Sequence, residues 1–176
     1  MPNLESSHDL GSVQVGDAVS RWCRAGETED AIAAVACLAT DVVLISPLTD
    51  QFRFRGRDQV QAVLEAVFSV VDDLVFDSAI GEGQNRAVRC QGRVGGHVFE
   101  EVQLLRLDAA GLISEVTLFI RPLPALTALM QALGPELARR QDRPWLAAFL
   151  VAATRPLHAM TTLGDRRVVP LAAPRR

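Results

Sequence analysis

The feature that most constrains the fold is a change in the spacing of hydrophobic residues near position 74. Before it, apolar residues recur every three or four positions, which is typical of helices that bury one face. After it, four segments alternate apolar and polar residues, as half-buried strands do; they are 74–83, 86–94, 97–107 and 112–120. Turn sequences separate the last three segments, so they are predicted to form an antiparallel meander. Helices followed by a run of strands indicate an α+β domain.

The first 73 residues are predicted to contain three helices and two short strands. The helices are expected at 17–25, 27–39 and 58–71, and the strands at 42–46 and 52–55. Thr28 and Asp58 are predicted to cap the second and third helices, because a side-chain oxygen at that position can accept a free backbone N–H.

The chain becomes helical again after Pro122. Segments 124–140 and 144–164 are predicted helices, interrupted at Gly134-Pro135 and at Pro156. The expected organisation is a flexible lead at 1–12, a body at 13–122, a helical extension at 123–164 and a basic tail at 165–176. The apolar stretch at 145–160 is interpreted as too short to span a bilayer. Packing on the body or on a dimer partner, a lid over a pocket, and contact with an anionic membrane surface all remain open for it.

Charge and cysteine content exclude several classes of function. The net charge is −3, and residues 139–176 carry eight Arg and two Asp, which leaves −9 for the rest of the chain. An acidic body argues against nucleic-acid binding. The three cysteines are widely spaced, which favours free thiols in a reducing cytoplasm. The N-terminus lacks the pattern of a signal peptide, and no run reaches roughly 18 apolar residues.

Motifs for the common cofactors are absent from the sequence. There is no phosphate-binding loop, no dinucleotide fingerprint, no zinc-protease motif and no nucleophile elbow, and the three histidines are far apart. No metal, nucleotide or haem is therefore expected.

Three sequence patterns carry a resemblance to a known family. They are the helix-to-strand step at 31–47, the sequence FRGRDQV at 54–60 and the hairpin at 108–116. Together they resemble the nuclear transport factor 2-like (NTF2-like) superfamily over about residues 10–122. SnoaL-like polyketide cyclases, ketosteroid isomerases and limonene epoxide hydrolases are its nearest enzymes. The resemblance implies a strongly curved antiparallel sheet wrapped around the N-terminal helices, a cone-shaped apolar pocket and, in many members, a homodimer formed through the convex sheet face.

The residues that carry chemistry in these enzymes are replaced here. The ketosteroid isomerase base falls on Ser46, and the acid that stabilises the oxyanion falls on Gln103. The first-helix Tyr of those enzymes falls near Val19 or Trp22, and the Asp of SnoaL-like cyclases falls near Leu118. The resemblance therefore implies the fold and a pocket, while the activity must be argued from the residues present.

Strand alternation predicts which side chains enter the cone. If Gln103 points inward, so do Glu101, Phe99 and His97, because side chains alternate along a strand. The neighbouring strands contribute apolar side chains to the same face. The predicted ligand-contacting residues are Trp22, Ser46, Phe54, Phe68, Cys90, His97, Phe99 and Leu118, and the predicted catalytic residues are Glu101 and Gln103. For His97, a solvated place beside the hairpin turn is the alternative.

Glu101 is the anomaly in this apolar row, and two hypotheses explain it. In the first, burial raises its pKa toward neutrality and makes it the acid–base group of a cofactor-independent isomerase, cyclase, dehydratase or epoxide hydrolase acting on a polyketide-, terpenoid- or steroid-like molecule. In the second, it lies at the cone mouth, solvated or paired with Arg53 or Arg55, and the protein is a non-catalytic binding or dimerisation module with a filled cone. An inward, buried carboxyl without an Arg partner would favour the first.

Overall fold

The computed structural model describes residues 18–174, so the predicted lead at 1–12 and the last two residues of the tail lie outside it. Its strands are β1 (Leu38–Ile45), β2 (Phe54–Arg55), β3 (Val71–Ile80), β4 (Asn85–Val94), β5 (His97–Leu107) and β6 (Ile113–Arg121). Its helices are α1 (Ala18–Glu27), α2 (Ala31–Val35), α3 (Gly56–Phe68), α4 (Leu123–Arg140) and α5 (Pro144–Leu163).

The six strands form one sheet in the order β2-β1-β6-β5-β4-β3, which confirms the predicted α+β class. Strands β3 to β6 are antiparallel neighbours, as predicted, but β1 runs parallel to β6, so the sheet is not purely antiparallel. Register shifts interrupt the β3–β4 pairing after Asp72 and after Phe76. Such bulges bend strands and help the sheet curve around the helices.

The alternation predicted for β5 is confirmed. Phe99, Glu101, Gln103 and Leu105 are buried in one row, whereas the residues between them face outward. At the β4–β5 turn, Gly95 and Gly96 have φ angles of 54° and 81°, a conformation that favours glycine. This turn places the inner row of β5 beside the inner positions of β4.

The boundaries before the meander differ from the prediction. Helix α2 is only five residues long, and β1 already begins at Leu38, because Leu38 and Val42 are fully buried in the sheet core. Asp30 caps α2, with its Oδ1 accepting the Ala33 N–H at 2.9 Å, so the assignment of Thr28 was wrong. Helix α3 starts at Gly56, so Asp58 lies in its first turn and does not cap it, and Val71 belongs to β3.

The cap of α2 can be tested directly. Replacing Asp30 with Ala removes the acceptor of the Ala33 N–H, and we expect the free energy of unfolding to fall by about 1 kcal/mol. Thr28→Ala is the matched control, because the exposed Thr28 hydroxyl bonds back to two carbonyls of α1, those of Arg24 at 3.0 Å and Ala25 at 3.4 Å. Urea denaturation of both variants measures the difference, and equal losses would contradict the assignment of the cap.

The two C-terminal helices are longer and less interrupted than predicted. Helix α4 continues through Pro135, and α5 continues through Pro156, with further helical turns to Ala172. The segment Pro144–Ala172 is long and apolar enough to cross a membrane by length and composition, which corrects the expectation that it is too short. Only 11% of its most apolar 18-residue window is buried, so most of this helix lies on the surface.

Helix α4 packs on the open side of the sheet. Its residues Leu129 and Leu133 join a buried cluster with Val94 and Phe99 of the sheet and with Ala66 of α3. Helix α5 lies on the outer side of α4. The extension therefore packs on the body through α4, and α5 packs on α4 and meets the start of β5 at His97.

Candidate functional site

A cavity of about 220 Å³ lies between the inner face of the sheet and helices α1, α3 and α4. Its wall is mainly aliphatic and aromatic, and the polar groups in it are few. They are the Trp22 ring nitrogen, the hydroxyls of Ser46 and Thr49, and the side chains of Glu101 and Gln103. A mainly apolar wall with a few polar groups is typical of small-molecule sites.

Eight of the ten predicted site residues line this cavity. They are Trp22, Ser46, Phe54, Phe68, Phe99, Glu101, Gln103 and Leu118. Of the two positions proposed for the first-helix residue, Trp22 faces the cavity, whereas Val19 is buried in the core. The cavity therefore brings together predicted residues from α1, β2, α3, β5 and β6, and Ser46, which directly follows β1.

Cys90 and His97 do not line the cavity. Cys90 points inward opposite Glu101 in the β4–β5 pairing, but it is completely covered by protein, and burial is the main cause of the raised pKa of its thiol. His97 lies at the start of β5, near the turn, where its ring stacks edge-on against His158 of α5 with the ring centres 4.9 Å apart. The turn lies too far along the strand for His97 to reach the cavity.

A hydrogen-bonded chain of three side chains organises the polar end of the cavity. The Trp22 Nε1–H donates to Gln103 Oε1 at 2.7 Å, and Gln103 Nε2–H donates to Glu101 Oε1 at 2.6 Å. Because Trp22 can only donate, this chain fixes which end of the Gln103 amide points toward Glu101. Within the described part of the chain, the second oxygen of Glu101 and the second amide hydrogen of Gln103 have no partner and are available to a ligand.

Burial controls the protonation of Glu101. The residue is 9% exposed, and desolvation raises the pKa of its carboxyl from 4.5 to about 7, while the hydrogen bond from Gln103 opposes that rise. The ion pairs found among residues 18–174 do not include Glu101, and Arg53 and Arg55 are exposed. Near neutral pH this carboxyl can therefore both give and take a proton.

Ser46, directly after β1, is another polar group of the wall. Its Oγ accepts the Leu48 N–H at 3.2 Å, which holds the side chain at the cavity and leaves its own hydrogen available to donate. Among the described residues, no group of three or more His, Cys, Asp or Glu side chains could hold a metal ion.

One whole wall of the cavity was not predicted from the sequence. Leu129, Met130, Leu133 and Leu137 of α4 line it, and Leu74 and Phe76 of β3 do so from the far edge of the sheet. The spacing of the α4 residues indicates a buried helix face. The sequence did not show that this face looks into the pocket.

Comparison with known proteins gives the chain its context. The family described as "SnoaL-like domain" matches residues 19–116, which is more than half of the chain. A search of functionally curated proteins found no match.

Solved structures with the same fold come from several bacteria. An uncharacterized protein with a cystatin-like fold from Silicibacter pomeroyi is 28% identical, with a TM-score of 0.66 over 73% of this chain and 93% of that one. A steroid delta-isomerase from Pseudomonas aeruginosa is 24% identical, with a TM-score of 0.60 over 71% and 89%. A hypothetical protein with a ketosteroid isomerase-like fold from Catenulispora acidiphila, in complex with trimethylamine, is 15% identical, with a TM-score of 0.53 over 68% and 93%.

Proposed function

The chain belongs to the SnoaL-like domain family, with the NTF2-like fold, and we propose that it is an enzyme that binds a small apolar molecule in its cavity and moves a proton on it without a cofactor. Glu101 is the acid–base group. The observation that carries this proposal is the placement of Glu101 at the cavity, where it is buried and has no Arg partner among residues 18–174. Burial there raises the pKa of its carboxyl to about 7. An unpaired carboxyl in an apolar site is costly, and a proton-transfer role accounts for its presence.

The proposed reaction uses the free oxygen of Glu101. As a carboxylate it removes a proton from a carbon next to a carbonyl group, and the electron pair of the broken C–H bond moves onto the carbonyl oxygen. The second amide hydrogen of Gln103 and the Ser46 hydroxyl are the neutral donors for that oxygen. The protonated Glu101 then returns the proton to another carbon, which completes an isomerisation.

The same carboxyl serves the related reactions within reach of this site. A protonated Glu101 can assist loss of a hydroxyl group, closure of a ring or opening of an epoxide by giving its proton to the departing oxygen. The mainly apolar wall supports a polyketide-, terpenoid- or steroid-like substrate with one polar end placed at Glu101. The similarity to a steroid delta-isomerase makes isomerisation the first reaction to test.

The alternative function is a non-catalytic module whose cone is filled by its own side chains. The open volume of about 220 Å³ and the absence of Arg53 and Arg55 from the ion pairs of the described residues favour the enzyme.

We further propose a cytoplasmic homodimer. Its support is the set of apolar residues that face outward from the sheet, Val98, Val102, Leu104 and Phe119.

A thermal-shift screen followed by hydrogen exchange tests this function. The purified protein is screened against steroid, polyketide, terpene-epoxide and fatty-acid-like compounds. A ligand at 100 times its Kd adds about 2.7 kcal/mol, which raises the Tm by several degrees for a chain of this size. Ketone-bearing hits are then incubated with the protein in D₂O, and we expect NMR to show deuterium entering the carbon next to the carbonyl.

Two variants make the exchange experiment decisive. Glu101→Gln should keep ligand binding and lose the exchange, whereas Glu100→Gln, on the opposite face of the same strand, should keep both. Binding without any exchange by the wild-type protein would favour the binding module. Exchange that survives in Glu101→Gln would remove Glu101 from the mechanism.

A further inference from the structure

The outward face of α5 carries a row of large apolar side chains. Trp145, Phe149, Pro156, Met160 and Leu163 fall within an arc of roughly 60° on a helix of 3.6 residues per turn. All five are exposed, with Trp145 and Met160 71% and Phe149 63% accessible. A helix that covers a soluble body normally turns polar and charged residues outward.

The inward face of α5 carries the polar contacts. Thr127 of α4 shares hydrogen bonds with His158 Nδ1 at 3.1 Å and with Thr161 Oγ1 at 2.8 Å, and Thr154 is also buried on this side. Hydrogen bonds and the packing of Leu150 beside Gly134 therefore hold α5 against α4, while the apolar side chains of the outward row remain exposed. Such an extended apolar stripe is typical of a surface that binds a partner.

Charge around the stripe indicates the partner. Arg143, Arg155, Arg166 and Arg167 are exposed, and none takes part in the ion pairs of the described residues. Asp165 is the only acidic residue between positions 143 and 174. The stripe is thus flanked by unpaired positive charge, although the body of the protein is acidic.

We propose that the outward face of α5 binds the surface of an anionic lipid bilayer, with the helix lying in the plane of the interface. The apolar stripe enters the boundary between headgroups and acyl chains, and the flanking arginines contact lipid phosphates. A second copy of the chain fits less well, because antiparallel pairing of two such helices would bring two sets of unpaired arginines together. The bilayer supplies the negative charge that a second α5 lacks.

A surface position also agrees better with the fold than a membrane-spanning one. Arg155 lies near the middle of α5, and a charged side chain at the centre of a bilayer is unfavourable. Spanning would also break the hydrogen bonds that join His158 and Thr161 to α4. A helix lying on the membrane keeps both.

Flotation with lipid vesicles tests this interaction on the full-length chain. We expect the protein to float with vesicles of phosphatidylcholine containing about 30% phosphatidylglycerol, and not with pure phosphatidylcholine. High salt should weaken this binding, because the arginine contacts are screened. Fluorescence gives a second readout: Trp145 should shift to the blue and be quenched by brominated lipid, while the other tryptophan, Trp22, is buried and gives a constant background.

Substitutions on α5 separate the two parts of the interaction. The double variant Phe149→Ser/Met160→Ser should bind anionic vesicles at least tenfold more weakly, and Arg155→Glu/Arg166→Glu should lose the preference for anionic lipid. All four side chains are exposed, so circular dichroism should show an unchanged fold. Ile32→Ser is the matched control, because Ile32 is equally exposed but lies on α2, and it should bind like the wild-type protein.

Three results would overturn the proposal. The first is no flotation of the wild-type chain with anionic vesicles at low salt. The second is flotation that Phe149→Ser/Met160→Ser leaves unchanged. The third is a dimer, measured by analytical ultracentrifugation, that this double variant dissociates while vesicles do not bind, which would assign the stripe to a second copy.

Discussion

Replacing Glu101 with Gln will raise the free energy of unfolding by roughly 3 kcal/mol at pH 8.5 and leave it nearly unchanged at pH 4. The reason is the cost of ionising a buried carboxyl. Its pKa is about 7 in the folded protein against an ordinary value of 4.5. The amide group introduced by Glu101→Gln occupies nearly the same volume as the carboxyl, can still accept the Gln103 N–H and never ionises.

The direction of the pH dependence follows from proton binding. Below pH 4.5 both the folded and the unfolded chain carry the proton on Glu101. Between 4.5 and 7 the unfolded chain loses it while the folded protein keeps it, so this residue lowers the stability of the wild-type protein as the pH rises. Above 7 the effect is complete, and the difference between variant and wild type stays constant.

Urea denaturation at half-unit steps from pH 4 to pH 9 measures this difference. Glu100→Gln is the control. Glu100 faces outward, with Arg89 at 3.7 Å and Arg121 at 3.5 Å, and exposed ion pairs contribute little. Its substitution should change stability by less than about 0.5 kcal/mol at every pH. A flat difference between Glu101→Gln and the wild type would show that Glu101 is not in an apolar environment.

Replacing Gln103 with Leu has the second large effect, in the opposite direction. The substitution leaves the buried Trp22 N–H and the carboxyl of Glu101 without their partner, and an unsatisfied buried group costs about 1–3 kcal/mol. We expect the free energy of unfolding to fall by about 2–4 kcal/mol at pH 8. The loss should be smaller at pH 5, where Glu101 is protonated.

This substitution also moves the titration of Glu101. The hydrogen bond from Gln103 lowers the pKa of that carboxyl, so its removal should carry the pKa above about 7. The pH dependence of stability should then extend to higher pH in Gln103→Leu and disappear in the double variant with Glu101→Gln. Gln91→Leu, at an exposed position of β4, is the matched control. An unchanged pH profile in Gln103→Leu would contradict the hydrogen-bonded chain.

The sequence predicted the direction of side chains well wherever the direction of one residue determines that of its neighbours. In β5, the inward direction of Gln103 determined those of Glu101 and Phe99, because strand side chains alternate. Ends of elements were harder. The stretch 36–39 reads as a helix, since Ala and Leu favour helices, but pairing with β6 starts β1 at Leu38. Tertiary contacts that outweigh local preference cannot be read from the local sequence.

Contacts between distant segments account for the remaining differences in the site. Cys90 faces inward as predicted, yet neighbouring side chains cover it completely. His97 meets His158, which lies 61 positions later in the chain, on the segment whose place the sequence left open. The α4 wall escaped prediction for the same reason, because an amphipathic stripe predicts burial and does not identify the surface that it covers.

Helix α4 forms part of the cavity wall but lies outside the stretch of chain that matches the family. The shared domain ends at residue 116, and it contains Trp22, Glu101 and Gln103. Helix α4 begins seven residues later and supplies Leu129, Leu133 and Leu137 to the same chamber. The proposed acid–base group and part of the cavity wall thus lie on separate stretches of chain. If the proposed role of Glu101 holds, a relative with the same carboxyl and a different segment after residue 116 would bind a molecule of a different size.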